Sequence, residues 1–182
     1  TIDRIARTVR TTDGLLERYD KLVIATGSSP FVPPLENLAN EQGIFKDGVF
    51  VFRTMDDCAK MIEYAPRALS AAVIGGGLLG LEAARGLLNR DLEVHVVHVM
   101  EHPMNVQLDA PAGTILARSL ENIGVNLHLN KRSTGVLGNG HITGLTFHDG
   151  SELACDMLVI SAGIRPNVEL ARQAGLLVEQ GI

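Results

Sequence analysis

Between Ala71 and Ser161 the spacing of apolar residues changes several times, and each change marks an element. Ala71-Ala72-Val73-Ile74 is an unbroken apolar run of strand length. Glycines then turn the chain, and from Leu78 to Asn89 the residues Leu79, Ala83, Ala84 and Leu87 recur on one face of a helix. Val94 to Val99 is the next strand. Asp109 followed by Pro111 opens a second helix, whose Ile115, Leu116, Leu120 and Ile123 are predicted to face inward before Gly124 ends it. Val125 to Leu129 is a third strand. The pattern next becomes that of an antiparallel meander, with Ser133 to Leu137 and Ile142 to Phe147 joined by a Gly138-Asn139-Gly140 turn. Met157 to Ser161 is again continuously apolar, as suits a strand in the middle of a parallel sheet. The predicted order is β-α-β-α-β, a β-meander, then β.

Upstream the signals are shorter. Ile5 to Arg10 and Leu15 to Glu17 read as strands, Leu22 to Ala25 as an apolar strand, and Pro30, Pro33 and Pro34 as a stiff linker. Val49 to Arg53 suggests a short strand, and Thr54-Met55-Asp56-Asp57 has the spacing of a capped helix start, with the helix running to about Tyr64. One pattern occurs twice. D-G-x5-D-x-L-V-I-x-x-G-x-x-P runs from Asp13 to Pro30 and again from Asp149 to Pro166. Each copy reads as a turn, a buried strand, and a Gly and Pro that stop it. A glycine-rich motif precedes only the second copy. If the two copies close modules of equal length, roughly sixty residues of the first module are missing and the chain is expected to be a piece of a longer polypeptide.

Composition narrows the possibilities. A chain of 182 residues, 46% hydrophobic and 20% charged, can bury the core of one or two domains. A net charge of -5, with the basic residues scattered, argues against a nucleic-acid surface and against an anionic-membrane patch. The longest apolar stretch, Ala71 to Leu81, is too short and glycine-rich to span a bilayer, so no membrane association is expected. Cys58 and Cys155 stand far apart and outside any C-x-x-C pair. They read as packing thiols, compatible with a reducing, cytoplasmic setting.

The chemistry is concentrated at Gly75-Gly76-Gly77-Leu78-Leu79-Gly80, a G-x-G-x-x-G that follows a strand and opens a helix. Gly75 permits the tight turn, Gly77 leaves room for a pyrophosphate against the backbone, and Gly80 lets helix and strand approach. The helix start would supply free N–H groups and a positive dipole end to the phosphates. An acid about twenty residues after the first glycine would read the ribose 2′-hydroxyl of NAD. His98 stands there, and Glu101, just beyond the strand, is the better ribose candidate; Glu93 comes too early. Residues 91–117 hold no Arg or Lys for a 2′-phosphate, which favours NADH, although a protonated His98 would tolerate the phosphate. His95, His98 and His102 do not read as a metal site, because His95 and His98 point to opposite faces of a strand; surface or ribose-side positions are expected. Glu82 reads as a solvated or interface side chain, with a polar contact near nicotinamide and flavin as the alternative. No spacing suggests a nucleophilic triad, so no catalytic residue and no metal ligand are assigned.

At these residues the chain resembles the pyridine nucleotide-disulfide oxidoreductases, flavoproteins with two dinucleotide-binding domains. Tyr19 to Pro30, with Thr26 and Gly27, is similar to a segment of their FAD domain; Gly75 to Ala84 to their NAD(P)H fingerprint; and Gly163-Ile164-Arg165-Pro166-Asn167, with Ala162, to the return toward the FAD domain. Within the family, Phe52 to Asp57, Gly77 to Leu87 and Gln107-Leu108-Asp109 look most like NAD(P)H-dependent assimilatory nitrite reductase large subunits. The resemblance implies an α/β, Rossmann-like three-layer dinucleotide-binding domain with a parallel sheet and an antiparallel meander, plus remnants of a second, FAD-binding domain. It implies residues 1–34 as part of the FAD domain and linker, 35–163 as the NAD(P)H domain, and 164–182 as the return segment. It further implies hydride transfer from NADH to FAD held by the same polypeptide in a nitrate-assimilating enzyme, with iron–sulfur and siroheme ligands outside this chain, which alone would be inactive. Ferredoxin or rubredoxin reductases and NADH oxidases are the alternative; a flavin-free nucleotide-sensing module is a reading of another class. A homodimer through the sheet edge near Leu22 to Ala25 is also expected. Two departures from the family stand out: His98 replaces a common Glu, and Asp91 replaces the usual glycine before the second strand, where Asp tolerates a left-handed turn.

Overall fold

The computed structural model describes residues 1–182 and divides them into two units, Thr1–Ser29 with Ile164–Ile182, and Pro30–Gly163. The first unit opens with an antiparallel meander of β1 (Ile2–Asp3), β2 (Thr8–Arg10) and β3 (Leu16–Arg18). The strand expected from Ile5 onward is shorter, because Asp3 Oδ1 accepts the N–H groups of Ile5 and Ala6 and turns the chain there. Leu22 to Ala25 is not a strand, contrary to its apolar run. A parallel strand exists only within a ladder, and this segment pairs with none of the sheets, leaving Val23 85% exposed. The copy's stop segment then forms β4 (Ser28–Pro30).

The second unit supplies β5 (Val49–Val51), α1 (Met55–Tyr64), β6 (Ser70–Ile74), α2 (Leu78–Leu88), β7 (Glu93–Val97), α3 (Ala110–Asn122) and β8 (Val125–His128). The meander β9 (Ser133–Leu137), β10 (Gly144–Phe147) and β11 (Glu152–Ala154) follows, and then β12 (Met157–Ile160). Five strands form one parallel sheet in the order β5-β12-β6-β7-β8. The last strand of the unit thus enters between the first two. Alternation explains the three layers: Ala71, Val73, Met157 and Val159 pack with Met61, Ala83, Ala84, Leu87 and Leu120 of the helices, while Ala72, Ile74, Leu158 and Ile160 pack with Val136, Leu145 and Phe147 of the meander. Burying the four β12 side chains contributes about 1.5–3 kcal/mol each, which outweighs any single cap at about 1 kcal/mol. Its position in the sheet is therefore set by burial on both faces.

Asp156, the repeated aspartate before that strand, accepts the N–H groups of Leu69 and Ser70 at 2.9 and 3.0 Å and so ties the entrances of β12 and β6 together. These bonds, the one from Leu69 first, hold its carboxyl below the usual range against a partial opposing effect of burial. The α1 start is a reciprocal capping box between Thr54 and Asp57, as its spacing predicts. Asp91 takes the left-handed turn, φ +62°, expected of it.

Two helix faces differ from expectation. On α2 the buried face is Gly80, Ala83, Ala84 and Leu87, and Leu79 lies at its rim, because the first turn approaches β6 too closely for a leucine beneath it. On α3 the buried residues are Gly113 and Leu120, with Leu116 half-buried, whereas Ile115 and Ile123 are exposed. The imidazole of His102 lies where a Cβ on Gly113 would be, 2.2 Å from its Nδ1, and this contact sets the rotation of α3. Cys155 is buried in the meander-side core, which pushes its thiol up to about 12. No helix is long and apolar enough to cross a membrane.

The chain closes with β13 (Ile164–Pro166) and α4 (Glu169–Gln173). The stop segments of the two repeated copies pair with each other, β4 with β13.

Candidate functional site

The glycine loop lies where β6 ends, at the carboxyl edge of the parallel sheet, the edge at which open α/β sheets bind ligands. Its glycines are required for different reasons. Gly75 has φ +125°, and a Cβ there would come within 2.2 Å of Ser161 O, so the chain leaving β12 abuts the turn. A Cβ on Gly80 would lie 2.0 Å from Gly75 O, and one on Gly76 would lie 2.7 Å from the His98 ring. Gly77 has ordinary extended angles, φ -85° and ψ 179°, and a Cβ there would meet no protein atom within 4 Å. Nothing in the packing asks for glycine at that position. It is also the N-cap of α2, it provides no side-chain cap, and the first intrahelical bond runs from Leu81 N to Gly77 O. The preceding helical N–H groups of Leu78, Leu79 and Gly80 therefore point out of the helix start with no partner inside it.

That combination fits an anion: open space before a glycine, free donors, and the positive end of the helix. No acidic residue lies in the first turn of α2. Leu78 is 60% exposed and Leu79 38%, so both flank the opening. Glu82 is exposed on α2, one turn from the loop, without a hydrogen-bond partner. Ala162 is half-buried beside Gly75, and Gly163, φ +110°, carries the chain out of the unit. Thr26 and Gly27 belong to the other unit. There Asn167 clasps them: its N–H reaches Gly27 O and its amide Thr26 O, both at 2.9 Å, its carbonyl accepts from the Thr26 hydroxyl, and its side-chain oxygen accepts from Ser29 at 2.8 Å.

The second loop, after β7, folds over the first. Gly76 N–H donates to His98 Nδ1 at 3.1 Å, and His98 Nε2 donates to Asn105 Oδ1 at 3.0 Å. Gly76 O accepts from Met104 N at 2.8 Å, with Met104 in the left-handed region at φ +57°. His98 is thus a neutral imidazole with both nitrogens engaged inside the protein, and burial lowers its pKa. This corrects the reading of a protonated His98 receiving a phosphate: the ring points at the glycine loop, and its acceptor nitrogen is already filled. Glu101 is exposed at the mouth of the same loop. Asn105 and Met104 escaped sequence reading, although the Pro103-Met104-Asn105 turn was a usable signal.

His102, expected at the surface or ribose side, is instead 92% buried against Gly113, because a glycine on α3 leaves the hole that its ring fills. His95 points away from His98, as strand alternation requires, and its Nδ1 lies 3.1 Å from His128 Nε2, with Glu93 3.5 Å from its other nitrogen. Burial lowers the pKa of both His95 and His128; on His128 the neighbouring His95 and Lys131 act in the same direction. Below pH 6.5 the unfolded chain then binds more protons than the folded one at these two positions. Stability they support is complete above 6.5 and falls as pH drops toward their lowered folded values. We expect the melting temperature to fall between about pH 7 and about pH 5, and to fall less in the His95→Gln/His128→Gln double variant; thermal melts across pH measure it. A double variant with the wild-type slope would show that this pair is not responsible.

A sequence profile described as "Pyridine nucleotide-disulphide oxidoreductase" matches residues 1–182. The chain is 47% identical over 178 residues to the nitrite reductase [NAD(P)H] large subunit of Klebsiella oxytoca, covering 98% of this chain and 18% of that protein. It is 41% identical over 181 residues to the nitrite reductase [NAD(P)H] of Bacillus subtilis, covering 100% and 22%. Among solved structures, a ferredoxin reductase from Rhodopseudomonas palustris superposes with a TM-score of 0.92 at 30% identity, covering all of this chain and 44% of that one. The chain therefore spans about a fifth of the length of these curated relatives.

Proposed function

The chain belongs to the pyridine nucleotide-disulphide oxidoreductase family, and on that premise we propose that residues 35–163 are the NAD(P)H-binding domain of a flavin-dependent reductase. Residues 1–34 and 164–182 belong, in this reading, to its FAD side. The observation that carries the proposal is Gly77: a glycine the packing does not need, with open space in front of it and an uncapped helix start behind it.

In this reading the N–H groups of Leu78, Leu79 and Gly80 hold the pyrophosphate, Glu101 is the ribose contact, and His98 supports the loop from behind. Ala162 and Gly163 border the loop on the β12 side, and Glu82 faces the nicotinamide half. Thr26 and Gly27 are the flavin-side contacts of the whole protein. When bound, the coenzyme would supply hydride-donor chemistry toward a flavin. This chain's residues orient the coenzyme, and none of them is asked to move a proton.

The identity of 47% over nearly the whole chain favours a nitrite reductase large subunit in a cytoplasmic, nitrate-assimilating setting. The close superposition on a ferredoxin reductase supports a second reading, in which the flavin hands electrons to a ferredoxin-like partner. Titration of the purified chain with NADH and NADPH, followed by calorimetry, tests the shared part. Saturable binding, tighter for NADH, is expected; no saturation with either coenzyme would remove the proposal. Nitrite-dependent NADH oxidation by the full-length polypeptide separates the two readings.

A further inference from the structure

Gly76 has both of its backbone groups bound by the loop that follows β7, its N–H by the His98 ring and its C=O by Met104 N–H. The ring is supported in turn by Asn105. Gly76 is the residue immediately before Gly77. We propose that His98 is a positioning residue for the coenzyme: its neutral ring, oriented by Asn105, locks the glycine loop in the shape that presents the α2 amides, and its protonation releases that lock. The inference rests on the dinucleotide reading above and deepens it.

The physical step is simple. Nδ1 accepts a hydrogen bond only while it carries a lone pair, so a proton there sets N–H against N–H at a contact now 3.1 Å long. Gly76 cannot move away toward its other side, where Met104 N–H holds its carbonyl. The loop must shift instead, and with it Gly77 and the first turn of α2. Coenzyme affinity should therefore weaken as pH falls, although the phosphates keep their charge.

The titratable groups around His98 come from three elements. Glu101 and His102 lie on its own loop, and His102 opposes a charge on it; Asp109 caps α3 and accepts from Ala112. From the end of β8 come His128, whose ring faces His95, and Lys131, whose ammonium is paired with Asp149. The first turn of α2 presents none, being Leu78-Leu79-Gly80-Leu81. Of these, His128 also has its pKa lowered by burial, so its variant is the control.

The test is calorimetric titration of the purified protein with NAD+, which tolerates acid better than NADH, at several pH values with folding checked by circular dichroism at each. Wild type should show a several-fold rise in Kd between about pH 7.5 and about pH 5. His98→Asn keeps an acceptor near the Nδ1 position without a titrating group; it should bind within about threefold of wild type at neutral pH and lose the pH dependence. His98→Ala should bind at least about tenfold more weakly and also without pH dependence. His128→Gln should keep the wild-type profile. A flat wild-type profile, or a profile that survives in His98→Asn, overturns the inference while leaving the coenzyme site standing. Absence of NAD+ binding by wild type at every pH would instead remove the underlying reading.

Discussion

Gly77→Ala should weaken NADH binding by about a hundredfold and leave the fold almost untouched. The new Cβ meets no protein atom, and the backbone angles are ordinary for alanine, so the folded chain has room for it. The cost to stability is that of replacing an N-cap glycine by alanine, at most about 1 kcal/mol, or about 2–4 °C in a domain of this size. The cost to binding is larger. A methyl group in front of the α2 amides holds a pyrophosphate off by an ångström or more, and hydrogen bonds to a charged group contribute about 1.5–3 kcal/mol each. Loss of two of them gives about 3 kcal/mol, hence the hundredfold estimate. Paired calorimetric titration and thermal melting read both numbers. Unchanged affinity would mean that the ligand does not approach this glycine at all.

Gly80→Ala should do the reverse and injure the fold itself. Its Cβ would lie 2.0 Å from Gly75 O, an atom of backbone that cannot swing aside. Gly75 cannot retreat either, being held at φ +125° with Ser161 O against its other side. Helix α2 must lift from β6, opening the packing around Ala83 and Ala84, at a cost of about 3 kcal/mol or more. A fall in melting temperature of roughly 6–12 °C follows, with coenzyme binding lost as well. Gly86, farther along the same helix, has nothing within 4 Å of a built Cβ, so Gly86→Ala should stabilise the protein by up to about 1 kcal/mol. Three glycines of one helix thus separate by experiment into one kept for a ligand, one kept for packing and one kept for neither. A Gly80→Ala protein that melts with wild type would show that the helix–strand approach is looser than described.

Much of this site could be read along the chain. The glycine loop, its strand and its helix are neighbours in sequence, and the capping box at Thr54 and the left-handed turn at Asp91 depend on residues within one turn of each other. The atoms that enforce the division of labour among the glycines could not be read that way. Spacing assigns Gly75 to the turn and Gly80 to close packing, but only the positions of Ser161 O and of Gly75 O show which of them would meet an atom. His98 is the clearest case: at the tip of a strand it reads as a ribose contact, whereas its ring is turned inward by a hydrogen bond to a residue far back in the chain.

Periodicity, turn chemistry and caps are local properties, and between Ala71 and Ser161 they were enough to establish the order of strands and helices and the place of the glycine loop. Partner choice is not local. Leu22 to Ala25 and Met157 to Ile160 carry nearly the same apolar run, yet the first finds no ladder and stays exposed, while the second enters between β5 and β6 and is buried on both faces. Likewise Ile115 and Ile123 are eight residues apart and read as one helical face, but with the ring of His102 lodged at Gly113 it is Leu120 that is buried and these two that meet solvent. Hydrophobicity drives a side chain out of water without direction; the neighbours that receive it come from distant parts of the chain, so only the assembled layers could choose them.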